Sequence, residues 1–191
     1  MGWLDWNAGP GSHNTNKLYL TSPEYAVLAK FSGNAWKIYK CPADRILSAG
    51  QRRLGWSERV RSISANGAVG QGNKSATDGL LNCAKLFIKT TDVTAPTPSK
   101  LWVFVDEHPD SINDGAFFNA QNDLRWIDLP ANYHNNACGF AFADGHSEIQ
   151  KWKTSVTRFP VREGGFQNGN KSVARNDIDW NWTLERTSAP R

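Results

Sequence analysis

The stretch CGFAFADGHSEIQKW, residues 138–152, constrains the fold more than any other part of the chain. Two runs in which apolar and polar residues alternate flank the dipeptide Asp144-Gly145. Such a dipeptide favours a two-residue type I′ turn between antiparallel strands. The register that this turn predicts places Phe140 opposite Ile149, with both side chains on one face of a β-hairpin. We therefore expect an antiparallel sheet at the centre of the fold.

A second strand is predicted at residues 101–105, where a continuous apolar run carries β-branched and aromatic side chains. Loops rich in Gly, Asn and Pro separate shorter extended segments, predicted within residues 59–67, 84–93, 115–120 and 124–130. The pattern indicates an α+β fold, in which short helices and long loops surround an antiparallel sheet. The length of 191 residues predicts one domain that spans residues 1–191.

Two helices are predicted beside these strands. The first covers residues 21–33, where Ser22 has the properties of an N-cap and a proline follows it at the first helical position. The second is a short C-terminal helix within residues 174–186, which Asn176 or Asp177 would cap.

The charge and the cysteine content argue against several classes of protein. The net charge is +4, from 22 Lys and Arg against 18 Asp and Glu. Because the basic residues are scattered, no nucleic-acid interface is predicted. Cys41, Cys83 and Cys138 show no CxxC spacing, which argues against a zinc ribbon. They leave open either one disulfide with one free thiol or three buried thiols.

The N-terminal region carries no targeting signal. No apolar run is long enough for a transmembrane helix, and no signal-peptide pattern is present. We therefore expect a soluble chain without membrane contact, as a monomer or weak dimer. Trp3 and Trp6 lie close to Met1, although tryptophan is unusual at a frayed end. We accordingly expect Met1 to open a truncated product.

An acidic loop after the strand at residues 101–105 supplies the best candidate for a metal site. Calcium binds six to eight oxygen ligands in proteins. Candidate ligands within nine positions of the loop are Asp106, Glu107, Asp110, Asn113 and Asp114. The spacing is not that of an EF-hand. We predict a calcium site here, and the alternative is an Asx-rich turn with solvated carboxylates.

His134 is followed after nine residues by Asp144. A strand over residues 137–143 would separate the two side chains by about 30 Å, at about 3.3 Å per residue. We therefore predict that they mark opposite ends of one strand. If that strand pairs antiparallel with the strand at 101–105, His134 lies near Asp106 and Glu107, where it could hydrogen-bond a carboxylate. The alternatives are direct metal ligation by His134 and a simple surface position.

Known catalytic motifs do not occur in the sequence. It contains no G-x-S-x-G, H-E-x-x-H, P-loop or G-x-G-x-x-G pattern. One enzymatic arrangement can be built: a metal-activated water at the acidic loop, with His108 or His134 as general base beside Asp106. Whether the protein is an enzyme stays open on this reasoning.

The segment YHNNACGFAFADGH, residues 133–146, resembles the processing-associated domain at the C-terminal end of many prepilin-like proteins. The signature of that domain is a histidine, nine residues and Asp-Gly, and His134, Asp144 and Gly145 stand at those positions. Other segments that resemble the family, in the expected order, are YKCPAD (39–44), RVRSISANG (59–67), VFVDEHPDSINDG (103–115) and DIDWNWTLERT (177–187).

The family is similar to the major pseudopilins of type II secretion systems. The resemblance implies an N-terminal hydrophobic helix, cleaved by a prepilin peptidase, before a globular domain with an antiparallel sheet. It also implies a calcium-binding loop near the sheet and other pseudopilin or pilin subunits as partners. Full-length members are expected in the inner membrane, the periplasm or an extracellular filament. The 191 residues would then correspond to the globular domain, without the assembly helix.

Two functions from different classes therefore compete. The first is a pseudopilin-like structural subunit whose globular domain is stabilised by calcium. The second is a calcium-dependent hydrolase that acts on a small ester or lactone through the acidic loop and a nearby histidine. A carbohydrate-binding module with exposed tryptophans is a third, weaker hypothesis.

Overall fold

The strands of the protein form two sheets. The computed structural model describes residues 4–7, 9, 13–70, 84–163 and 171–190. In these ranges the strands are β1 (Ile63–Asn66), β2 (Trp102–Asp106), β3 (Ala116–Phe117), β4 (Arg125–Trp126), β5 (Ala137–Phe142), β6 (Ser147–Lys151) and β7 (Lys171–Ser172). The larger sheet has the order β3-β1-β2-β5-β6, and β4 pairs with β7 in the smaller one. In the larger sheet β1 pairs parallel with β3, and the other pairs are antiparallel.

Both central strands predicted from the sequence, β2 and β5, are confirmed, and they lie side by side in the larger sheet. A mainly antiparallel sheet with few helices fits the predicted α+β class. Trp3 and Cys83 fall outside the described residues, and Cys41 and Cys138 are free thiols.

The helices are short. They are α1 (Leu18–Thr21), α2 (Ala49–Arg53) and α3 (Ile178–Thr187), with 3-10 turns at His13–Thr15, Ala29–Phe31, Trp36–Tyr39 and Thr90–Asp92. The predicted C-terminal helix is confirmed as α3, whose N-cap Asp177 accepts hydrogen bonds from the backbone N–H groups of Asp179 and Trp180. None of the helices in the described ranges is long and apolar enough to cross a membrane.

The prediction of a helix over residues 21–33 is wrong. Ser22 ends α1 as its C-cap, and the chain continues through turns to the 3-10 turn at Ala29–Phe31. Val27 and Phe31 are 75% and 77% exposed. A short helix in a protein owes most of its stability to the burial of an apolar face, and this segment buries too little apolar surface to provide it.

The strands β5 and β6 form the predicted hairpin in a different register. The Phe142 backbone N–H donates to the His146 carbonyl at 2.9 Å, so three residues, 143–145, lie between the last paired positions instead of the predicted two. Gly145 adopts the left-handed conformation at φ +95°. Ile149 pairs with Gly139 and not with Phe140. A shift of one residue reverses the face on which a side chain lies, so Ile149 leaves the core face and is 61% exposed.

One face of the larger sheet packs with α3 around an aromatic core. The large buried side chains in this core are Trp102, Phe117, Trp126, Phe140, Phe142, Trp152 and Trp180. Asp179 holds α3 in place, because its carboxylate accepts hydrogen bonds from the Thr154 backbone N–H at 2.8 Å and the Thr157 hydroxyl at 2.5 Å. This packing buries one face of the larger sheet, and the core does not cover the opposite face.

Candidate functional site

The face of the larger sheet opposite the aromatic core lines an open groove of about 370 Å³. Side chains alternate between the faces of a strand, so Gly139 and Ala141 face the groove while Phe140 faces the core. Other apolar residues of the groove are Ile63, Phe104 and Ile149. The polar or charged residues that line it are Asp106, His134, Ser147 and Glu148.

His134 lies in the turn that leads into β5. Its backbone N–H donates to the carbonyl of Ala137 at 3.2 Å, and the next two residues, Asn135 and Asn136, have φ values of +54° and +59°. Because β5 runs antiparallel to β2, its beginning lies beside the end of β2. The His134 Nε2 is 3.5 Å from the Asp106 Oδ2. The predicted proximity of His134 to Asp106 is confirmed.

Cys41 is the third member of this site, and the sequence did not predict it. Its Sγ lies 3.4 Å from the Nε2 of His134, although 93 positions separate the two residues. The backbone N–H of Cys41 donates to the Ser62 hydroxyl at 2.7 Å, which fixes the loop beside β1. We call Cys41, Asp106 and His134 the groove cluster.

Burial determines the acidities in the groove cluster. It raises the pKa of the Asp106 carboxyl, and the nearby His134 opposes that effect. Burial also raises the pKa of the Cys41 thiol, and the charge of Asp106 acts in the same direction. Both acids are therefore harder to ionise than in water when nothing else is bound.

The acidic loop after β2 is built differently from the predicted calcium site. Glu107 is fully buried and accepts hydrogen bonds from the hydroxyls of Ser64 and Ser111. Burial raises the pKa of Glu107 to about 7, although those hydrogen bonds and the charge of Arg61 oppose the shift. The Glu107 carboxyl group therefore makes its hydrogen bonds within the protein and is not exposed to solvent.

The remaining predicted calcium ligands of the loop also contact protein donors. The Asp110 carboxylate accepts from the Arg162 backbone N–H at 2.6 Å, and the Asp114 carboxylate accepts from the Ala116 backbone N–H at 2.8 Å. The side-chain oxygen of Asn113 accepts from the next backbone N–H at 2.5 Å. Among the described residues, the groove cluster alone brings three His, Cys, Asp or Glu side chains close enough to share an ion. Calcium in the acidic loop stays a prediction.

His108, one of the two candidate general bases, is completely buried. Its Nδ1 accepts from the Asp110 backbone N–H at 3.2 Å, so its Nε2 carries the proton and donates to the Phe159 carbonyl at 2.9 Å. Burial lowers the pKa of the His108 imidazole. Since both ring nitrogens are engaged and away from solvent, His108 cannot take a proton from a substrate.

The signature residues His134 and Asp144 lie at opposite ends of β5, as predicted. Asp144 contacts His146 instead, with 2.6 Å between the carboxylate oxygen and the Nδ1. The imidazole of His146 stacks on the ring of Phe142 at 4.3 Å between centroids. This pair belongs to the hairpin connection and takes no part in the groove cluster.

Comparisons with known proteins do not assign a family. No protein-family model, no curated protein and no solved structure matches the chain. The functional argument therefore depends on the groove, the groove cluster and the sequence resemblance.

Proposed function

We propose that the chain is the globular domain of a pseudopilin-like structural subunit in a type II secretion or type IV pilus-like assembly. In this proposal the open groove packs against an apolar helix of such a subunit. The observation that carries the proposal is the apolar face of the larger sheet, which is left open opposite the aromatic core.

The shape and chemistry of the groove support a helix as its occupant. Antiparallel sheets often leave one face to solvent, and that face is then polar. Here α3 and the aromatic core cover one face, and apolar Ile63, Phe104 and Ile149 lie on the open one. Small residues at Gly139 and Ala141 leave room between Phe104 and Ile149, so the surface is concave and mainly apolar, with its polar residues Asp106, His134, Ser147 and Glu148 beside them. The sequence resemblance adds that related proteins combine such a sheet with a hydrophobic helix.

The competing hydrolase hypothesis draws less support from the same contacts. It used Asp106, His108 and His134 as catalytic residues with calcium at the acidic loop. His108 is buried with both ring nitrogens engaged, and Glu107 faces two hydroxyl groups inside the protein. Asp106 and His134 line the groove, whereas the Asp110 and Asp114 carboxylates, which would hold the calcium, accept hydrogen bonds from backbone N–H groups.

A photo-crosslinking amino acid at position 149 tests the proposal in the native cell. The matched position is 185 on α3, where the Glu185 side chain is 74% exposed on the surface of the molecule. We expect position 149 to crosslink to an apolar helix, identified by mass spectrometry as the N-terminal segment of a pilin-like subunit. Position 185 should give no such product. Equal labelling at the two positions, or captured peptides without an apolar helix, would overturn the proposal.

A further inference from the structure

The geometry points to a site for a divalent transition metal ion of the zinc class at the groove cluster, with one coordination position open to the groove. The ligand atoms of Cys41, Asp106 and His134 all lie within 4.8 Å of one another. The site shares the groove with the filament role proposed above, since Asp106 and His134 line it, but metal binding by the chain on its own needs no partner helix and is tested separately.

The spacing of the ligand atoms fits a shared tetrahedral ion. Zinc binds thiolate at about 2.3 Å, imidazole nitrogen at about 2.0–2.1 Å and carboxylate oxygen at about 2.0–2.2 Å. Tetrahedral angles then place neighbouring ligand atoms about 3.4–3.6 Å apart. The observed separations are 3.4 Å from the Cys41 Sγ to the His134 Nε2 and 3.5 Å from that Nε2 to the Asp106 Oδ2. Two of the three separations therefore already match a shared ion, and the third lies within 4.8 Å.

The same contacts argue against a cysteine–histidine–aspartate catalytic triad. In a triad the nucleophile contacts one ring nitrogen of the histidine, and the carboxylate contacts the other. Here the Cys41 thiol and the Asp106 carboxylate both face the Nε2 of His134. Three ligand atoms that converge on one point are the arrangement for a common ion.

The donor types select the class of metal. Thiolate and imidazole favour zinc and similar transition metals, whereas calcium and magnesium prefer oxygen ligands only. Because the groove cluster supplies one sulfur, one nitrogen and one carboxylate oxygen, we expect it to bind zinc or cobalt and to reject calcium.

Gly139 makes room for the carboxylate ligand. A Cβ atom at this position would lie 2.8 Å from the Asp106 Oδ2, which is closer than real Cβ contacts allow. Glycine at position 139 leaves free the space that the Asp106 carboxylate occupies beside β5.

The fourth coordination position faces the groove. Structural zinc sites have four protein ligands, whereas catalytic sites have three and keep a position for water or substrate. Cys41 is buried and does not line the groove of about 370 Å³, whereas Asp106 and His134 do. An ion held here would carry a water molecule, or a small anionic or neutral ligand, on the groove side.

Cobalt substitution tests the inference on the reduced, chelator-treated full chain. We expect the wild-type protein to bind one Co²⁺, with the d–d absorption of a tetrahedral site and a sulfur-to-cobalt charge-transfer band. Zinc should displace the cobalt, and calcium in large excess should not. A wild-type protein without the charge-transfer band would overturn the inference, whatever the variants do.

Ligand variants locate the ion. Cys41→Ser, Asp106→Asn and His134→Gln should each weaken Co²⁺ binding by about 100-fold or more, because the loss of an outer contact alone costs about 10- to 100-fold. The matched control is His146→Gln, because His146 also faces an aspartate, at 2.6 Å, but at the other end of β5. Circular dichroism of the metal-free variants separates lost ligation from lost folding. If His146→Gln weakens binding as much as His134→Gln, the site is not the groove cluster.

Discussion

The Nη2 of Arg61 donates a hydrogen bond of 3.2 Å to the main-chain oxygen of Asn113, so a protein cation lies against the main chain of the loop predicted to hold calcium. The same guanidinium donates to the Asp114 carbonyl and, through its Nη1, to the Ser64 hydroxyl at 2.8 Å. Burial lowers the pKa of Arg61 to about 10, and the nearby Glu107 opposes that shift. The main chain of the acidic loop is thus held by the side chain of Arg61, which lies just before β1.

Replacement of Arg61 by lysine should destabilise the protein by about 2 kcal/mol or more. A lysine keeps the charge, but its single ammonium group cannot reproduce the planar fork that reaches both sides of the loop. Carbonyl groups that lose a buried donor each cost about 1–3 kcal/mol. Urea unfolding of Arg61→Lys against the wild type measures the loss.

The matched control for this loss is Arg158→Lys. Arg158 also donates to main-chain carbonyls, those of Thr154 and Lys153, but from an exposed position. Surface substitutions of this kind usually change stability by less than about 0.5 kcal/mol. Equal effects of the two variants would show that Arg61 does not organise the loop.

Calcium should not raise the melting temperature of the wild-type protein. The carbonyls of Asn113 and Asp114 contact Arg61, and the carboxylate of Asp110 accepts from a backbone N–H. Thermal unfolding in chelator and in millimolar calcium checks this expectation. A dose-dependent stabilisation that disappears in the Asp110→Ala, Asp114→Ala double variant would instead establish the calcium site predicted from the sequence.

Asp128 should make the protein less stable as the pH rises. Its carboxyl group is buried, and burial together with the neighbouring carboxyls of Glu107 and Asp114 raises its pKa well above the ordinary value. The folded state therefore holds this proton to a higher pH than the unfolded state does. Stability is lost from roughly pH 4, the unfolded pKa, upward to the folded pKa.

Asp128→Asn should remove this pH dependence. The amide oxygen of asparagine can still accept the hydrogen bond that the Phe118 backbone N–H donates at 2.6 Å, while the buried charge is gone. We expect the variant to gain stability relative to the wild type between pH 4 and pH 8, measured by urea unfolding. Asp123→Asn is the control, because Arg125 lowers the pKa of Asp123. The stability from that contact is complete above about pH 4, so this variant should show no pH-dependent gain between pH 4 and pH 8.

Sequence patterns predicted the parts of the fold whose stability is local or strongly periodic. The run at 101–105 and the alternation around β5 gave correct strands, and Asp177 gave a correct helix start. The hairpin register was wrong because Asp144-Gly145 permits both two-residue and three-residue connections. The segment 21–33 carried a good capping pattern, but capping contributes only about 1 kcal/mol and cannot replace a buried face.

Only part of the candidate site could be predicted from the sequence, because some of its contacts join loops that are far apart in the chain. Antiparallel pairing of β2 with β5 is enough to bring His134 to Asp106, and each strand has its own pattern. Cys41 reaches the same point through a loop that Ser62 holds, and no periodicity specifies where such a loop lies. The position of Arg61 inside the acidic loop is also a long-range contact, so the sequence pattern alone favoured an external cation.

Gly139→Ala should displace the Asp106 carboxylate and weaken Co²⁺ binding at the groove cluster. The added Cβ would lie 2.8 Å from the Asp106 Oδ2, so the carboxylate must turn away from His134. Overpacking of this kind typically costs about 1–3 kcal/mol, whereas alanine by itself is favoured over glycine in a strand by about 0.5–1 kcal/mol. A net loss of stability together with weaker Co²⁺ binding is the expected result.

Gly9→Ala is the control, because a Cβ at Gly9 has no atom within 4 Å. If Gly139→Ala binds Co²⁺ as tightly as Gly9→Ala does, the Asp106 carboxylate is not a ligand.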